Sequence, residues 1–297
     1  MKNHLKINPE KISNEIAEFI ENKRIQLNRD GLIIGLSGGL DSAVTAYLAA
    51  RGTDKRKVNL IYLPEKDSKK IHKKDAQIIS HELGIPLQVE NITHILESIE
   101  VYKLLPLRFF PGKTTKDLLV SIGKKVENVS QENLLSARFS PKPNSLIAKG
   151  NEYGTIKHRI RMVMIYHHAN LRNLLVVGAA NRTELLTGAF SQWGCDQCAD
   201  IMPIIHLFRT QIEVIAEYLN IPISIRKKSA DPDIMPGVGD KEELIGPFNI
   251  SDQILWLLEN GYAVHKIAEE YEIDIVNHVN DLYQKARFMR EVPYNLL

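Results

Sequence analysis

The chain is poor in cysteine, in charge imbalance and in long apolar runs. Its 297 residues include two cysteines, both in the stretch "CDQC" at 195–198, and two cysteines cannot build a disulfide framework. Lys and Arg total 38 against 36 Asp and Glu, a net charge of +2, so no global electrostatic signal for nucleic acid exists. No apolar run approaches the length that crosses a bilayer, and the N-terminus carries no signal-peptide pattern. A cytoplasmic compartment is therefore expected, with neither membrane nor nucleic acid as partner. Two common nucleotide fingerprints are also missing. There is no G-K-[ST] of a Walker A loop and no third glycine of G-x-G-x-x-G.

With 44% hydrophobic and 25% charged residues, the composition is that of a globular protein. The length exceeds an average domain, but α/β folds reach it as one unit, so a single domain over 1–297 is expected. Short continuous apolar runs at 32–36, 58–63, 86–90 and 173–178 read as strands buried on both faces. Helical stretches lie between them, at 41–51, 70–83, 91–103, 156–170 and 206–219, after an amphipathic N-terminal helix near 11–27. Strands of that kind alternating with helices predict an α/β fold with a doubly wound parallel sheet flanked by helices. "LGIP" (83–86) and "LNIP" (219–222) read as helix ends. Residues 104–152 are proline-rich and basic, and predict an insertion or lid, with a short helix at 115–126. Residues 231–247 form a second long loop. From 251 the chain reads as C-terminal helices, with Ser251 as cap for 252–259. The basic stretch "KDSKKIHKK" (66–74) reads as a solvated helix face, with phosphate contact as the other reading.

The most informative stretch is "LIIGLSGGLDSAVTAYLAA" (32–50), in which an apolar strand meets a small-residue turn and then a helix. Such a turn directs successive backbone N–H groups and a positive helix end at one point, which is an anion site. Gly35 and Leu36 lead into it, Gly38 and Gly39 allow close backbone approach, and Ser37 and Ser42 add hydroxyl donors. Asp41 is of the right type to hold Mg²⁺ against phosphates. The plainer reading is an ordinary strand–helix turn in which Asp41 or Ser42 caps the helix.

The loop resembles the S-G-G-x-D-S loop of the N-type ATP pyrophosphatases, which implies an adenine nucleotide alpha hydrolase-like fold. In that superfamily the loop grips the β/γ end of ATP while a substrate oxygen attacks the α-phosphorus and pyrophosphate leaves. Three further stretches, "TIKHRIRMVMIYHHA" (155–169), "NLLVVGAANRTELLTGAFSQWG" (173–194) and "MPIIHLFRTQIEVIAEYLNIP" (202–222), are similar to ammonia-dependent NAD synthetases. That resemblance implies catalytic roles for Asp41, Glu184 and Arg209, with Asp41 and Glu184 on Mg²⁺. It implies that Arg209 and Ser229 contact ATP, and that Arg159, Gln192, Asp200 and Arg290 line the acid substrate. It further implies a C–N ligase in NAD biosynthesis that uses ATP as cosubstrate, adenylates a small-molecule carboxylate, most directly deamido-NAD, and admits ammonia. The active form would be a homodimer. No glutamine-hydrolysing segment is visible, so ammonia comes free or from a separate partner.

Taken singly, Glu184 reads equally as a surface carboxylate, Arg209 as a helix-start cation in a weak ion pair, and Arg159 as a solvated residue. The chain also departs from the family pattern. Ala179 stands at a threonine position and Gln192 at a lysine position. "GCDQCAD" replaces a glycine-rich run, and of an H-K-R triplet only Arg290 remains, in "FMR" (288–290). Loss of a phosphate-binding lysine removes a contact of about 1.5–3 kcal/mol. A sister amide ligase acting on another carboxylate therefore stays open. Cys195 and Cys198 leave three readings: reduced thiols filling a loop, a metal site completed by His167, His168 or His206, or a sulfur-transferring ATP pyrophosphatase.

Overall fold

The computed structural model describes residues 4–105, 134–195, 197–228 and 241–291. Helix α1 (Pro9–Gln26) begins where Asn8 accepts a hydrogen bond from the Lys11 amide with Pro9 in the first turn, a start that satisfies an orphan donor. The order then runs β1 (Gly31–Gly35), α2 (Leu40–Gly52), β2 (Val58–Tyr62), α3 (Lys70–Leu83), β3 (Leu87–Val89), α4 (Thr93–Ser98), α5 (Leu146–Leu171), β4 (Leu174–Val177), α6 (Arg182–Thr187), α7 (Arg209–Tyr218), α8 (Phe248–Glu259) and α9 (Ile273–Lys285).

The four strands are all parallel in the order β3-β2-β1-β4, with Ile34 opposite Leu60 on one side and Val177 on the other. Leu32, Ile34, Leu60, Leu175 and Val177 face the layer formed with α1, α2, α3 and α7. Ile33, Ile61, Leu174 and Val176 face the layer of α4 and α5. Strands β1, β2 and β4 are thus covered on both faces, which is what the continuous runs required, whereas β3 at the sheet edge is only half-buried, with Val89 exposed, so the 86–90 run is not the doubly covered strand expected. A third cluster, with Leu186, Phe208, Ile254, Leu255, Val276 and Val279, joins α8 and α9 to α6 and the α7 start. Because β1 is followed outward by β2 and β3 and then by β4 on its other side, the chain reverses direction between β1 and β4. In open α/β sheets, ligands bind outside the carboxyl ends of the strands at such a point.

Several expected boundaries move. The 91–103 helix stops at Ser98 because Glu100 takes a left-handed φ of 59°, and a single 3₁₀ turn follows at Val101–Lys103. The 156–170 helix begins ten residues earlier, capped by Ser145 on the Ala148 amide, so residues 146–152 belong to α5 rather than to the inserted segment. The 206–219 helix begins at Arg209. Ser251 is not a cap. Helix α8 starts at Phe248 after Pro247, and the buried Ser251 hydroxyl donates to the Ile245 carbonyl. Gly84 and Asn220, with φ of 66° and 55°, end the two helices that precede prolines. The predicted helix at 115–126 and most of the 231–247 loop lie outside the described residues.

Candidate active site

The β1–α2 loop sits at the chain reversal. Gly38 has φ of 77°, a conformation that suits glycine, and a Cβ there would collide with the His72 carbonyl. The Ser42 hydroxyl accepts from the Ser37 amide at 3.2 Å, meets Ser37 Oγ at 2.9 Å and donates to the Gly39 carbonyl at 3.1 Å. Ser37 Oγ in turn accepts from the Gly39 amide at 3.2 Å. The turn is therefore held by its own serines. Gly39 is the N-cap of α2, and no side chain caps the helix, so neither Asp41 nor Ser42 takes the capping role of the plainer reading. The first amides of this 13-residue helix and its positive end remain available to an anion.

Asp41 instead reaches across to residues that follow β4. Its Oδ1 accepts from Asn181 Nδ2 at 2.9 Å, and its Oδ2 pairs with Arg209 Nη1 at 3.1 Å. Asn181 also caps α6 in a reciprocal box with Glu184, accepting from the Glu184 amide at 3.0 Å while its own amide donates to Glu184 Oε2 at 3.2 Å. One asparagine thus sets the spacing of Asp41 and Glu184. Glu184 is buried, 6% exposed, which excludes the surface-carboxylate reading. Arg209 is equally buried and also pairs with Glu213 at 3.1 Å. Burial alone would lower the guanidinium's pKa; Asp41, Glu213 and Glu184 outweigh it and raise it. The Arg209 amide donates to Thr183 Oγ1, and Thr183 and Thr210 donate to the fully buried carboxylate of Asp252. That network fixes the start of α7.

A lysine absent from the loop's own sequence reaches it from elsewhere. Lys228 Nζ lies 2.7 Å from His72 Nδ1, 2.9 Å from Asp75 Oδ2 and 3.4 Å from the Gly38 carbonyl. Within the basic stretch 66–74, Lys73 and Lys74 face solvent, as a solvated helix face requires, while His72 and the following Asp75 are buried. The cleft has a volume of about 200 Å³. Ser37, Gly39, Asp41, Ser42, Glu184, Arg209 and Lys228 give it a polar lining, Ile61, Leu63, Met162, Ile165 and Val176 an apolar one, and His158 and Arg161 also line it. Helix α5 is fixed there by Lys157, 1% exposed, which sits 3.0 Å from Glu65 and 3.4 Å from Asp67. Tyr102 and Tyr153 donate to the same two carboxylates. Burial first, and then those carboxylates, push both phenols upward.

Of the expected sites, the structure brings together Gly35, Leu36, Ser37, Gly39, Asp41, Ser42, Glu184 and Arg209, with Gly38 in the same turn. Ser229 lies outside the described residues. Arg159 donates to the Gln192 carbonyl at 3.3 Å. Asp200 accepts from the Val176 amide and the Tyr166 hydroxyl, beside the edge of β4. Arg290 donates to the carbonyls of Leu186 and Tyr283 and braces the end of α6. Cys195 lines the cleft and donates its thiol to the His158 carbonyl at 3.2 Å. Neither Cys195 nor Cys198 is in a disulfide. His168 pairs with Glu90, and no group of three or more metal-ligating side chains occurs among the described residues.

Lys228, His72, Asp75 and Arg161 were not foreseen. Asn181 had a legible signal, since N-x-x-E before an apolar run is the pattern of a capping box. Lys228 had none beyond its place beside Ser229.

Residues 12–105 and 112–293 match the NAD synthase family. An NH(3)-dependent NAD(+) synthetase of Thermotoga maritima is 36% identical over 279 residues, 94% of this chain and 96% of that protein. In fold, the chain resembles the NH3-dependent NAD synthetase of Campylobacter jejuni, with a TM-score of 0.69 at 24% identity over 98% of this chain and 100% of that one. It resembles equally the NMN synthetase of Francisella tularensis, with a TM-score of 0.69 at 22% identity, covering 98% and 99%. The loop, the paired carboxylates behind it and the matches along nearly the whole length agree: the chain belongs to the NAD synthase family.

Proposed function

We propose that the chain is an ammonia-dependent amide ligase that activates the carboxylate of deamido-NAD with ATP and converts it to NAD⁺, AMP and pyrophosphate. The observation that carries this reading is the convergence of the uncapped α2 N-terminus with Asp41, Glu184 and Arg209, the last 168 residues from Asp41 in sequence, in one cleft with an apolar lining. The loop amides and hydroxyls hold the β- and γ-phosphates. The adenine meets the apolar lining, and the α-phosphorus lies between.

Asp41 and Glu184 fit a phosphate-supported Mg²⁺. Asp41 keeps lone pairs beyond its bonds to Asn181 and Arg209, Glu184 is held close by the same Asn181, and Mg²⁺ commonly takes one or two carboxylates plus substrate phosphates. When bound, the ion neutralises charge on the phosphates and the leaving pyrophosphate. The chain's own part is electrostatic. Arg209 and the α2 amides are fixed before the substrate arrives and face charge that develops on the leaving group, the kind of preorganisation worth about 10²–10³ in rate per donor. Attack by the carboxylate oxygen on the α-phosphorus expels pyrophosphate and forms an acyl-adenylate. Ammonia then attacks the acyl carbon and AMP leaves. The active form is read as a homodimer, as the resemblance to the family implies, and sedimentation should then report one.

A second reading is favoured by one observation. Arg290 is committed to backbone carbonyls and Gln192 carries no charge, which favours an acid with fewer phosphates than deamido-NAD. One assay covers both. Purified protein with ATP, Mg²⁺ and ammonium is given deamido-NAD or nicotinic acid mononucleotide, and AMP, pyrophosphate and amide are quantified. Equimolar AMP, pyrophosphate and NAD⁺ supports the first reading. Turnover with the mononucleotide alone supports the second, and formation of ADP instead of AMP refutes both.

A further inference from the structure

The loop's six residues contain no cation, and the one cation from α7, Arg209, is already shared between Asp41 and Glu213. The phosphates of ATP nevertheless require positive charge at their far end. Lys228 stands there, against the turn rather than the helix axis, and it is carried by neither the loop nor any helix that bears the carboxylates.

Lys228 is held by a built support. Its side chain is 18% exposed, and that of Asp75 is 4% exposed. Asp75 and His72 lie on one face of α3, one turn apart, and α3 is the helix whose first turn packs under Gly38. An ammonium has three donors and no acceptor. Two of its protons meet short partners, Asp75 at 2.9 Å and His72 Nδ1 at 2.7 Å; the third meets the Gly38 carbonyl at the long distance of 3.4 Å. The weakest of the three contacts is thus the one directed at the phosphate loop. A phosphate oxygen entering the loop replaces a long contact to a neutral carbonyl with one in which both partners are charged, at little cost to the other two.

We infer that Lys228 is a terminal-phosphate ligand of this site, with Asp75 and His72 as the positioning residues that hold its ammonium beside the Ser37–Gly39 turn. This rests on the reading of the loop as an ATP site. It adds a cation that the loop motif does not contain, and it assigns the first turns of α3 a role in nucleotide binding. Asp75 offsets the charge of Lys228 in the free protein, which keeps the cleft from attracting anions indiscriminately; a ligand with several phosphate oxygens profits from the cation, whereas AMP, lacking the β- and γ-phosphates, does not reach it.

The test is isothermal titration of the full-length protein with Mg²⁺ and a non-hydrolysable ATP analogue, with pyrophosphate, and with AMP. Lys228→Met is expected to weaken the analogue and pyrophosphate by about ten- to a hundredfold while AMP affinity stays as in the wild type. Lys228→Arg is expected to restore most of the loss. Because removing Lys228 leaves Asp75 buried without its cation, the Lys228→Met/Asp75→Asn double variant is measured beside it, with thermal unfolding as a check on folding. Equal weakening of the analogue and AMP marks a structural role and overturns the inference, as does an analogue affinity unchanged in both variants. Wild-type protein that binds neither analogue nor pyrophosphate overturns the loop reading itself, and the inference with it.

Discussion

Replacing Asp252 by asparagine should make the protein more stable relative to wild type as pH rises. Burial pushes this carboxyl from 3.8 up to about 6, against hydrogen bonds from Thr183 and Thr210 that lower it. A carboxyl whose folded-state value lies above its unfolded one holds its proton more tightly in the native state. Its contribution is therefore fully present below about pH 4 and is lost as pH rises through about 6. A shift of about two units corresponds to about 3 kcal/mol, and about half of that falls between pH 5 and pH 8. Asparagine keeps an oxygen for the Thr210 amide and hydroxyl, both at 2.8 Å, and turns its amide to Thr183. The Thr183 hydroxyl loses its acceptor, an offset of about 1 kcal/mol that does not change with pH. Urea unfolding of both proteins at several pH values should show the wild-type advantage shrinking by about 1.5 kcal/mol from pH 5 to pH 8. A difference that stays flat, or grows with pH, would refute the reasoning. Because the same network fixes the first turn of α7, Asp252→Asn should keep turnover. Asp252→Leu, which leaves three donors without an acceptor, should lose it together with the position of Arg209.

Arg209→Met should reduce the rate of AMP formation by about 10²–10³-fold while the protein stays folded, since Asp41 retains Asn181; an unchanged rate would remove Arg209 from the chemistry. Lys157→Met leaves Glu65 and Asp67 buried without their cation and should cost about 3–5 kcal/mol, read as a lower denaturant midpoint. Chelating Mg²⁺ should stop pyrophosphate release yet leave the thermal midpoint in place, because Asp41 and Glu184 are already hydrogen-bonded by Asn181 and Arg209.

Much of the fold was legible because its signals are local. The runs "LIIGL" and "NLLVVG" are apolar at every strand position, and the structure buries both faces of β1 and β4 between helices. The errors fall where a single residue's backbone or a tertiary contact decides. Nothing in "LESIEVYK" announces the left-handed Glu100 that breaks the 91–103 helix. Pro141 and Pro143 masked a start at Leu146, where Ser145 caps α5 and the small Gly150 and Gly154 are buried. Ser251 has the residue type of a cap, but the helix had already started three residues before it.

The site divides along a different line. Ser37, Gly39 and Ser42 hold one another within six residues, so composition and spacing reveal them. What balances Asp41 is another matter. Asn181 lies 140 residues away and Arg209 168, and Lys228 meets His72 across 156. These pairings depend on β4 joining the sheet beside β1 rather than beyond β3. No period in the sequence encodes that choice; it is made by tertiary pairing, in which Leu32 and Ile34 of β1 stand opposite Leu175 and Val177 of β4. Once β4 takes that place, its exit loop must open beside the β1 turn, and the Asn181–Glu184 capping box arrives opposite the uncapped end of α2. The carboxylate that looks in sequence like a helix cap is thereby released from capping and becomes part of the cleft.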